Sequence, residues 1–354
     1  MYVEFSISKK NGGERVICAP NDKLKAIQRK LAVILNMVYK TKPAAHGFVL
    51  DKNVATNAKG HVKKKYVFNI DLENFFDQIH FGRVRGMLMK PPYNLGEEAA
   101  LVISQIACYK GKLPQGAPTS PILTNMVCAP LDTQLTKLAK KYNLQYSRYA
   151  DDITFSTYKA DFPVEIAYVD FNGVHVGTVL EELIKKNNFL INYNKVRISD
   201  YRQRQIVTGL VVNQFVNLRR DYIKEIRALL YSCKVKGLLE SAKLYVEKGK
   251  CKNPKIIEAV NSGKSEKEDE IINWFLQVLK GKIKYIKSIR GDNNPTYLKY
   301  ASELNRVSGK IFFRVDEYLD FIKQIEKSVF IIEINALDDY IQGSGFLLDP
   351  DLLL

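Results

Sequence analysis

A chain of 354 residues with 46% hydrophobic and 26% charged residues has the composition of ordinary globular protein, which excludes a disordered or low-complexity chain. Its 54 lysines and arginines against 38 acidic residues give a formal net charge of +16, which points to a polyanionic partner, nucleic acid ahead of a membrane surface. No apolar run approaches membrane-spanning length, and the five scattered cysteines and four dispersed histidines show neither a CxxC pair nor ligand spacing, so neither a zinc site nor a disulfide framework is suggested. Residues 3 to 20 read as a β-hairpin, two β-apt runs bracketing the turn Lys9-Lys10-Asn11-Gly12-Gly13, from which Arg15 and the lysines would reach a phosphate or simply be solvated. Leu24, Ile27, Leu31, Ile34, Leu35 and Val38 recur at helical spacing and predict an amphipathic helix ending before Pro43. Residues 44 to 65 follow as a mostly irregular basic segment holding His46, Asn57 and His61.

The run Tyr66-Val67-Phe68-Asn69-Ile70 predicts a buried strand ending at Asp71, after which Leu72 to Phe76 turn into a helix. A strand end fixes the backbone of a carboxylate while its side chain points into a cleft, although an N-cap role fits the same place. A helix over roughly 97 to 108 and another from about 122 to 141 flank Leu113-Pro114-Gln115-Gly116-Ala117-Pro118-Thr119-Ser120-Pro121, a stiff loop whose glycine lets a ligand approach closely. Next comes Gln145 to Thr157, in which two β-apt runs flank Ala150-Asp151-Asp152 and predict a hairpin with adjacent carboxylates at its turn. Two like charges side by side repel, and a divalent cation between them and a third group would relieve that; good turn chemistry on a solvated hairpin is the plainer account. Gly177 to Lys186 reads as a helix, Phe189 to Ile198 as strand around Asn192 and Lys195, and Val207 to Asn213 as a short apolar strand. The β-α-β-β-α-β order from Tyr66 to Ile198 is that of a ferredoxin-like sheet.

From Asn217 the character changes to helix, with 11 lysines and arginines against 4 acidic residues up to Ile256. A second basic group lies from Lys280 to Gly291 and includes Lys282, Lys284 and Arg290. Interleaved cations and aromatics suit a phosphate backbone, and a solvated helix face is the equal alternative. Asn261 to Asp269 reads as a loop or short linker.

Asp71 with Phe75-Phe76, the LPQGAPTSP loop, Tyr149-Ala150-Asp151-Asp152, and Asn192 with Lys195 stand in an order and spacing that resemble the reverse transcriptase family. Asn57-Ala58 with His61, which fits an NAxxH element, and Val207-Thr208-Gly209, which fits a VTG element, narrow the resemblance to bacterial retron reverse transcriptases. The resemblance implies an α+β right-hand polymerase fold, with fingers over 1–65 and part of 80–120, a ferredoxin-like palm over 66–216, a basic helical thumb over 217–310 and an extension over 311–354. It implies RNA-directed DNA polymerase activity, in which Asp71, Asp151 and Asp152 hold two Mg²⁺ ions with a main-chain oxygen of Ile70 or Leu72 as a further ligand. Phe76 takes the steric-gate position that blocks a ribose 2′-hydroxyl, Gln115 and Gly116 line the nucleotide pocket, and Arg15 with Lys10 clamps the triphosphate. Lys195 stands where a lysine protonates departing pyrophosphate, and Asn57, His61, Val207, Thr208, Gly209, Lys282, Lys284 and Arg290 are the expected RNA contacts. Deoxynucleotide triphosphates, a structured noncoding RNA with its RNA–DNA product, an effector protein, antiphage defence and a cytoplasmic setting without membrane complete the expectation.

The sequence departs from the family at both ends. It begins almost at the fingers hairpin, and Ser328 to Glu333 with Gly343 to Leu348 resembles the opening strands of a trypsin-like protease domain, a plain terminal hairpin being an equal account. A catalytically quiet RNA-binding scaffold, a palm-like nucleotide cyclase, untemplated extension and a group II intron reverse transcriptase are the competing readings. The intact carboxylates and Phe76 weigh against the scaffold, and the LPQG loop and basic thumb against the cyclase.

Overall fold

The computed structural model describes residues 2–8 and 12–315, together with the backbone of strands at 329–336, 339–349 and 352–353. The chain divides into two compact units, Met1–Asn217 and Leu218–Leu354. The first unit opens on an antiparallel hairpin, β1 (Tyr2–Ser8) and β2 (Glu14–Pro20), followed by α1 (Asp22–Val38), which Asn21 caps by accepting the Leu24 N–H. Next come α2 (Val54–Lys59), β3 (Tyr66–Asp71), α3 (Phe81–Met89), α4 (Glu97–Ala107) and the long α5 (Ser120–Tyr142). The unit continues with β4 (Gln145–Tyr149), β5 (Asp152–Thr157), a second hairpin of β6 (Ala167–Asp170) and β7 (Gly173–Val176), and α6 (Thr178–Lys186). It ends with β8 (Arg197–Asp200), β9 (Ile206–Val207) and β10 (Leu210–Val211).

Four strands form the central antiparallel sheet in the order β4-β5-β3-β8. With helices between β3 and β4 and between β5 and β8, this is the ferredoxin-like arrangement expected from the sequence. β3 sits centrally because it is buried on both faces: Val67 and Phe68 are fully buried, and Phe68, Ile70, Ile153 and Phe155 join Leu123, Met126, Leu131 and Leu135 of α5 in one core. The expected helix from Leu72 to Phe76 does not form. That segment is a run of turns, broken by Asn74 at φ +42° and tied down by the Gln78 side chain, whose Oε1 accepts the Leu190 N–H at 2.8 Å. The expected strand from Phe189 to Ile198 is also shorter: after an isolated bridge from Ile191 to Leu72, residues Tyr193–Lys195 make a 3₁₀ turn and continuous pairing with β3 begins at Arg197. Segment 44–65 holds α2, which Asn53 and Thr56 start with a reciprocal capping box.

Beneath the β4–β5 turn lies a buried ion pair. Arg148 and Asp132 have fully buried side chains, joined by two bonds of 2.7 Å, from Nε to Oδ1 and from Nη2 to Oδ2. Arg148 donates further to the Ala150 carbonyl and to Asn125 Oδ1, each at 3.0 Å, and Tyr146 donates its hydroxyl to Asp132 at 2.7 Å. Asn125 in turn donates to the Gly47 carbonyl at 2.9 Å, which joins segment 44–48 to the same network. Such a buried pair is tolerated because further hydrogen bonds satisfy its groups, and here Arg148 makes four.

The second unit carries α7 (Arg220–Lys236), α8 (Leu238–Glu247), α9 (Pro254–Ser262), α10 (Glu268–Arg290) and α11 (Pro295–Ser308). Buried positions at Ile271, Phe275, Leu276, Leu279, Ile283 and Ile286 keep helical spacing along α10, which packs on the other four. Farther along, β11 (Val329–Ala336), β12 (Asp339–Asp349) and β13 (Leu352–Leu353) form an antiparallel sheet, the hairpin that both accounts of the terminal segment share. Among the described residues no helix is long and apolar enough to cross a membrane.

His61 is fully buried between β4 and β5, its two ring nitrogens each 2.7 Å from a hydroxyl, Nδ1 from Ser156 Oγ and Nε2 from Ser147 Oγ. Burial, with the nearby Lys64 charge second, pushes its pKa down to about 3. The unfolded chain therefore binds a proton below about pH 6.5 that the folded chain refuses, and stability is lost as pH falls from about 6.5 toward 3. We expect urea unfolding of wild type and His61→Gln to diverge over that window, wild type losing about 1.4 kcal/mol per pH unit relative to the variant. Parallel curves would show that His61 is not held neutral.

Candidate active site

Three carboxylates meet at one end of the central sheet. Asp71 ends β3 directly opposite Asp152, which begins β5, in a ladder that runs unbroken back to Tyr66 and Thr157. Asp151 sits in the turn after Ala150, whose φ of +56° is left-handed and whose carbonyl is the one held by Arg148. The backbone locks this corner further. Leu72 donates its N–H to the Asp151 carbonyl at 3.1 Å, and Asp71 accepts the Asn192 N–H at 2.8 Å. Gly47 packs so closely on the turn that a Cβ there would stand 2.4 Å from the Ala150 nitrogen.

This geometry leaves the acids electrostatically crowded. Burial first, and then the charges of Asp151 and Asp71, raise the Asp152 pKa to about 7. Asp151 is raised for the same reasons, burial before the Asp71 charge, with Lys195 and Arg15 acting in the opposite sense. Lys195 arrives on the 3₁₀ turn that Asn192 starts, and its ammonium lies 2.9 Å from Asp71 Oδ2. Among the described residues no group of three or more His, Cys, Asp or Glu side chains is already gathered as a ready-made metal cage. The donor chemistry nonetheless fits a hard divalent cation, since carboxylate oxygens destabilised by one another gain most from a positive ion.

Phe76 lies beside this corner, half-buried and edge-on to Phe75 at 5.6 Å between ring centroids. Phe48 meets it from the other side at 6.3 Å, also edge-on. Phe48 was not foreseen: it is a non-glycine residue at φ +60°, 42% exposed, on the segment that Asn125 fastens to the network beneath the turn. A left-handed backbone at a large apolar residue is uncommon, and no sequence signal marks it.

The LPQG loop is clasped by the first hairpin. Cys18 of β2 donates to the Gln115 carbonyl at 2.8 Å, and Ser120 closes the loop by donating to the Pro114 carbonyl at 2.7 Å. Gly116 has φ +123°, and a Cβ there would stand 2.9 Å from the Cys18 oxygen. The close approach expected of a ligand at Gly116 is thus made by the chain itself. Arg15, paired across the hairpin with Ile7, is exposed and near enough for its charge to act on Asp151. Lys10 lies outside the described residues. Leu72 is 1% exposed, its side chain in the core.

The positions expected to touch RNA fall into different environments. Asn57 and His61 are buried, 1% and 0% exposed; Asn57 Nδ2 points to Thr208 Oγ1 at 3.5 Å, and Thr208 donates to the Val54 carbonyl at 3.3 Å. The NAxxH and VTG elements are therefore one structural unit, with Val207 buried and Gly209 exposed at its surface. In the second unit Lys282 is paired with Glu225 at 2.9 Å, Arg290 donates to Thr296 Oγ1 at 2.8 Å, and Lys284 is exposed.

Replacing Gly116 tests the clasp. We expect Gly116→Ala to cost about 1–3 kcal/mol through its strained φ and the contact with Cys18. Amide hydrogen exchange at Cys18, bonded to Gln115, would accelerate, and an unchanged rate would refute the clasp.

Comparison with known proteins places the chain in a family. The profile described as reverse transcriptase (RNA-dependent DNA polymerase) matches residues 7–212. The retron Mx162 reverse transcriptase of Myxococcus xanthus is 34% identical over 258 residues, which cover 66% of this chain and 53% of the relative. The retron Mx65 enzyme of the same organism is 33% identical, covering 65% of this chain and 55% of the relative. The retron Ec86 enzyme of Escherichia coli is 35% identical over 235 residues, covering 65% of this chain and 69% of the relative. The matched region thus spans about half the length of the two Myxococcus relatives. A solved apo telomerase from Candida tropicalis overlays with a TM-score of 0.46 at 13% identity, covering 91% of this chain and 64% of its own, too loosely to add to the assignment. The matched profile stops at residue 212 and lends no support to a protease-like extension after residue 311. The mixed helix–sheet chain, with acids at the end of a ferredoxin-like sheet, belongs to the reverse transcriptase family and, within it, to the retron type.

Proposed function

We propose that this chain is an RNA-directed DNA polymerase that copies a structured noncoding RNA into DNA. The observation that carries the reading is the crowding of Asp71, Asp151 and Asp152 at one sheet end, where burial and then the neighbouring carboxylates lift Asp152 to about 7. Asp71, Asp151 and Asp152 would hold two Mg²⁺ ions, which when bound activate an attacking hydroxyl and stabilise the leaving oxygens of an in-line displacement. The remaining work falls to the chain's own side chains. Phe76, braced between Phe75 and Phe48, presents a fixed ring where a ribose 2′-hydroxyl would collide, which selects deoxynucleotide triphosphates. Arg15 extends from the hairpin with its charge already felt at Asp151 and clamps the triphosphate, while Gln115 and Gly116 form the wall beneath it. The Lys195 ammonium, half-exposed beside Asp71, is a proton donor for departing pyrophosphate.

In this reading residues 1–65 with part of 80–120 are fingers, 66–216 the palm, and 217–310 a thumb that grips template and primer through A-form shape. Exposed Lys284 belongs to that grip. On the resemblance alone, the reading extends to an effector protein, antiphage defence and a cytoplasmic setting.

The test is RNA-templated primer extension by the full chain with Mg²⁺ and deoxynucleotides, using RNA that copurifies with the protein as well as a supplied primer. We expect wild type to extend and Asp151→Asn, Asp152→Asn together to abolish extension while RNA stays bound. Phe76→Ala should lower discrimination against ribonucleotides by about tenfold or more, and Phe48→Ala should move it the same way by less. Extension that survives loss of both aspartates would overturn the assignment.

A further inference from the structure

We propose a second nucleic-acid surface, a platform for single-stranded RNA, at the end of the central sheet opposite the carboxylates. β3 spans six residues from Asp71 back to Tyr66, about 17 Å at strand rise, and there three chain segments come together. Tyr66 pairs with Thr157 on one side and Asp200 on the other, so the segments that follow β5 and β8 emerge beside the one that leads into β3. Buried Gln205 stitches them, donating from Nε2 to the carbonyls of Lys64 at 3.0 Å and of Lys65 and Ser199 at 3.2 Å. Lys65 also donates its N–H to the Thr157 carbonyl at 2.8 Å. The platform is therefore built by the fold and is not a chance meeting of mobile side chains.

What the stitching presents is alternately cationic and aromatic. The Lys64 ammonium lies 3.6 Å from the centre of the Tyr158 ring, Lys65 lies 5.6 Å from that of Tyr66, and the Arg202 guanidinium 5.9 Å from that of Tyr201. Tyr158 is 67% exposed and Tyr201 59%, far more than rings kept for packing. Segments 63–66, 158–161 and 200–204 carry six lysines and arginines against two acids, Asp161 and Asp200, and Asp200 is already bonded to Arg202 at 2.7 Å. Open rings backed by cations suit unstacked bases, and the surplus charge suits the phosphates between them. A lipid surface would call for large aliphatic side chains to insert, and these segments have none.

This surface rests on the polymerase reading for the identity of its RNA, since a folded template must be held somewhere besides the cleft that copies it. Its own existence is tested separately. The probe is a twelve-nucleotide single-stranded RNA, followed by fluorescence anisotropy with the full chain over a range of salt. The variants are Tyr158→Ala with Tyr201→Ala, and Lys64→Gln with Lys65→Gln, each checked for an unchanged thermal midpoint. We expect the tyrosine pair to weaken binding about tenfold or more and the lysine pair to lower the salt slope by about 1.4. Extension of a short pre-annealed primer–template, which fills only the cleft, should stay at the wild-type rate. Unchanged RNA affinity would overturn the platform, as would a parallel loss of binding and short-substrate extension, which would assign these residues to the cleft or the fold. Loss of binding to phosphatidylserine vesicles with RNA affinity intact would overturn it in favour of a membrane surface. Wild type that extends no substrate yet loses RNA binding in the variants would sink the polymerase reading and leave the platform standing.

Discussion

Like-charge crowding is the constraint around which the first unit is organised. The β3–β5 ladder sets Asp71 against Asp152, and the turn adds Asp151, so three carboxylates share one corner that the chain cannot open without breaking strand pairing. Left to itself the corner would relax by protonation, the direction in which burial and the neighbouring charges push Asp152. The only cation in contact with the trio among the described residues is the Lys195 ammonium, and it reaches Asp71 alone. Active sites hold strained electrostatics of this kind because the surrounding structure prevents escape.

What prevents escape is the buried network one layer below. Arg148 is drawn into the core by Asp132 and fixes the Ala150 carbonyl, hence the left-handed residue from which the two aspartates project. Asn125 extends the same network to Gly47 and Phe48, so the segment carrying the brace for Phe76 and the turn carrying the acids are set by one group of α5 side chains. Acid placement and ring placement are thereby coupled through the core. The Gly116 clasp adds the first hairpin to the same assembly.

Much of this was legible in sequence because it is local. Alternation around Ala150-Asp151-Asp152, the apolar run before Asp71 and the proline-rich loop each specify their own backbone within a few residues. The ferredoxin-like order followed from the succession of these runs, and the sheet has it. What sequence did not disclose depends on long-range pairing. Arg148 and Asp132 look like a strand cation and a helix acid until tertiary structure buries both, and nothing in the string marks Phe48 as left-handed. Leu72 to Phe76 reads as helix by apolar spacing, yet Asn74 and the reach of Gln78 to Leu190 turn it into a loop. His61 carries a family motif and is nonetheless walled between two serines, where it holds strands together.

The claim most open to direct measurement is that the crowded carboxylates await a divalent cation. Thermal unfolding of the full chain should be followed as Mg²⁺ is added, for wild type and for Asp152→Asn. The account predicts that wild type is progressively stabilised, by about 2.7 kcal/mol once the ion stands a hundredfold above its dissociation constant, while Asp152→Asn responds far less. A wild-type midpoint indifferent to Mg²⁺, or a response that Asp152→Asn leaves intact, would contradict it.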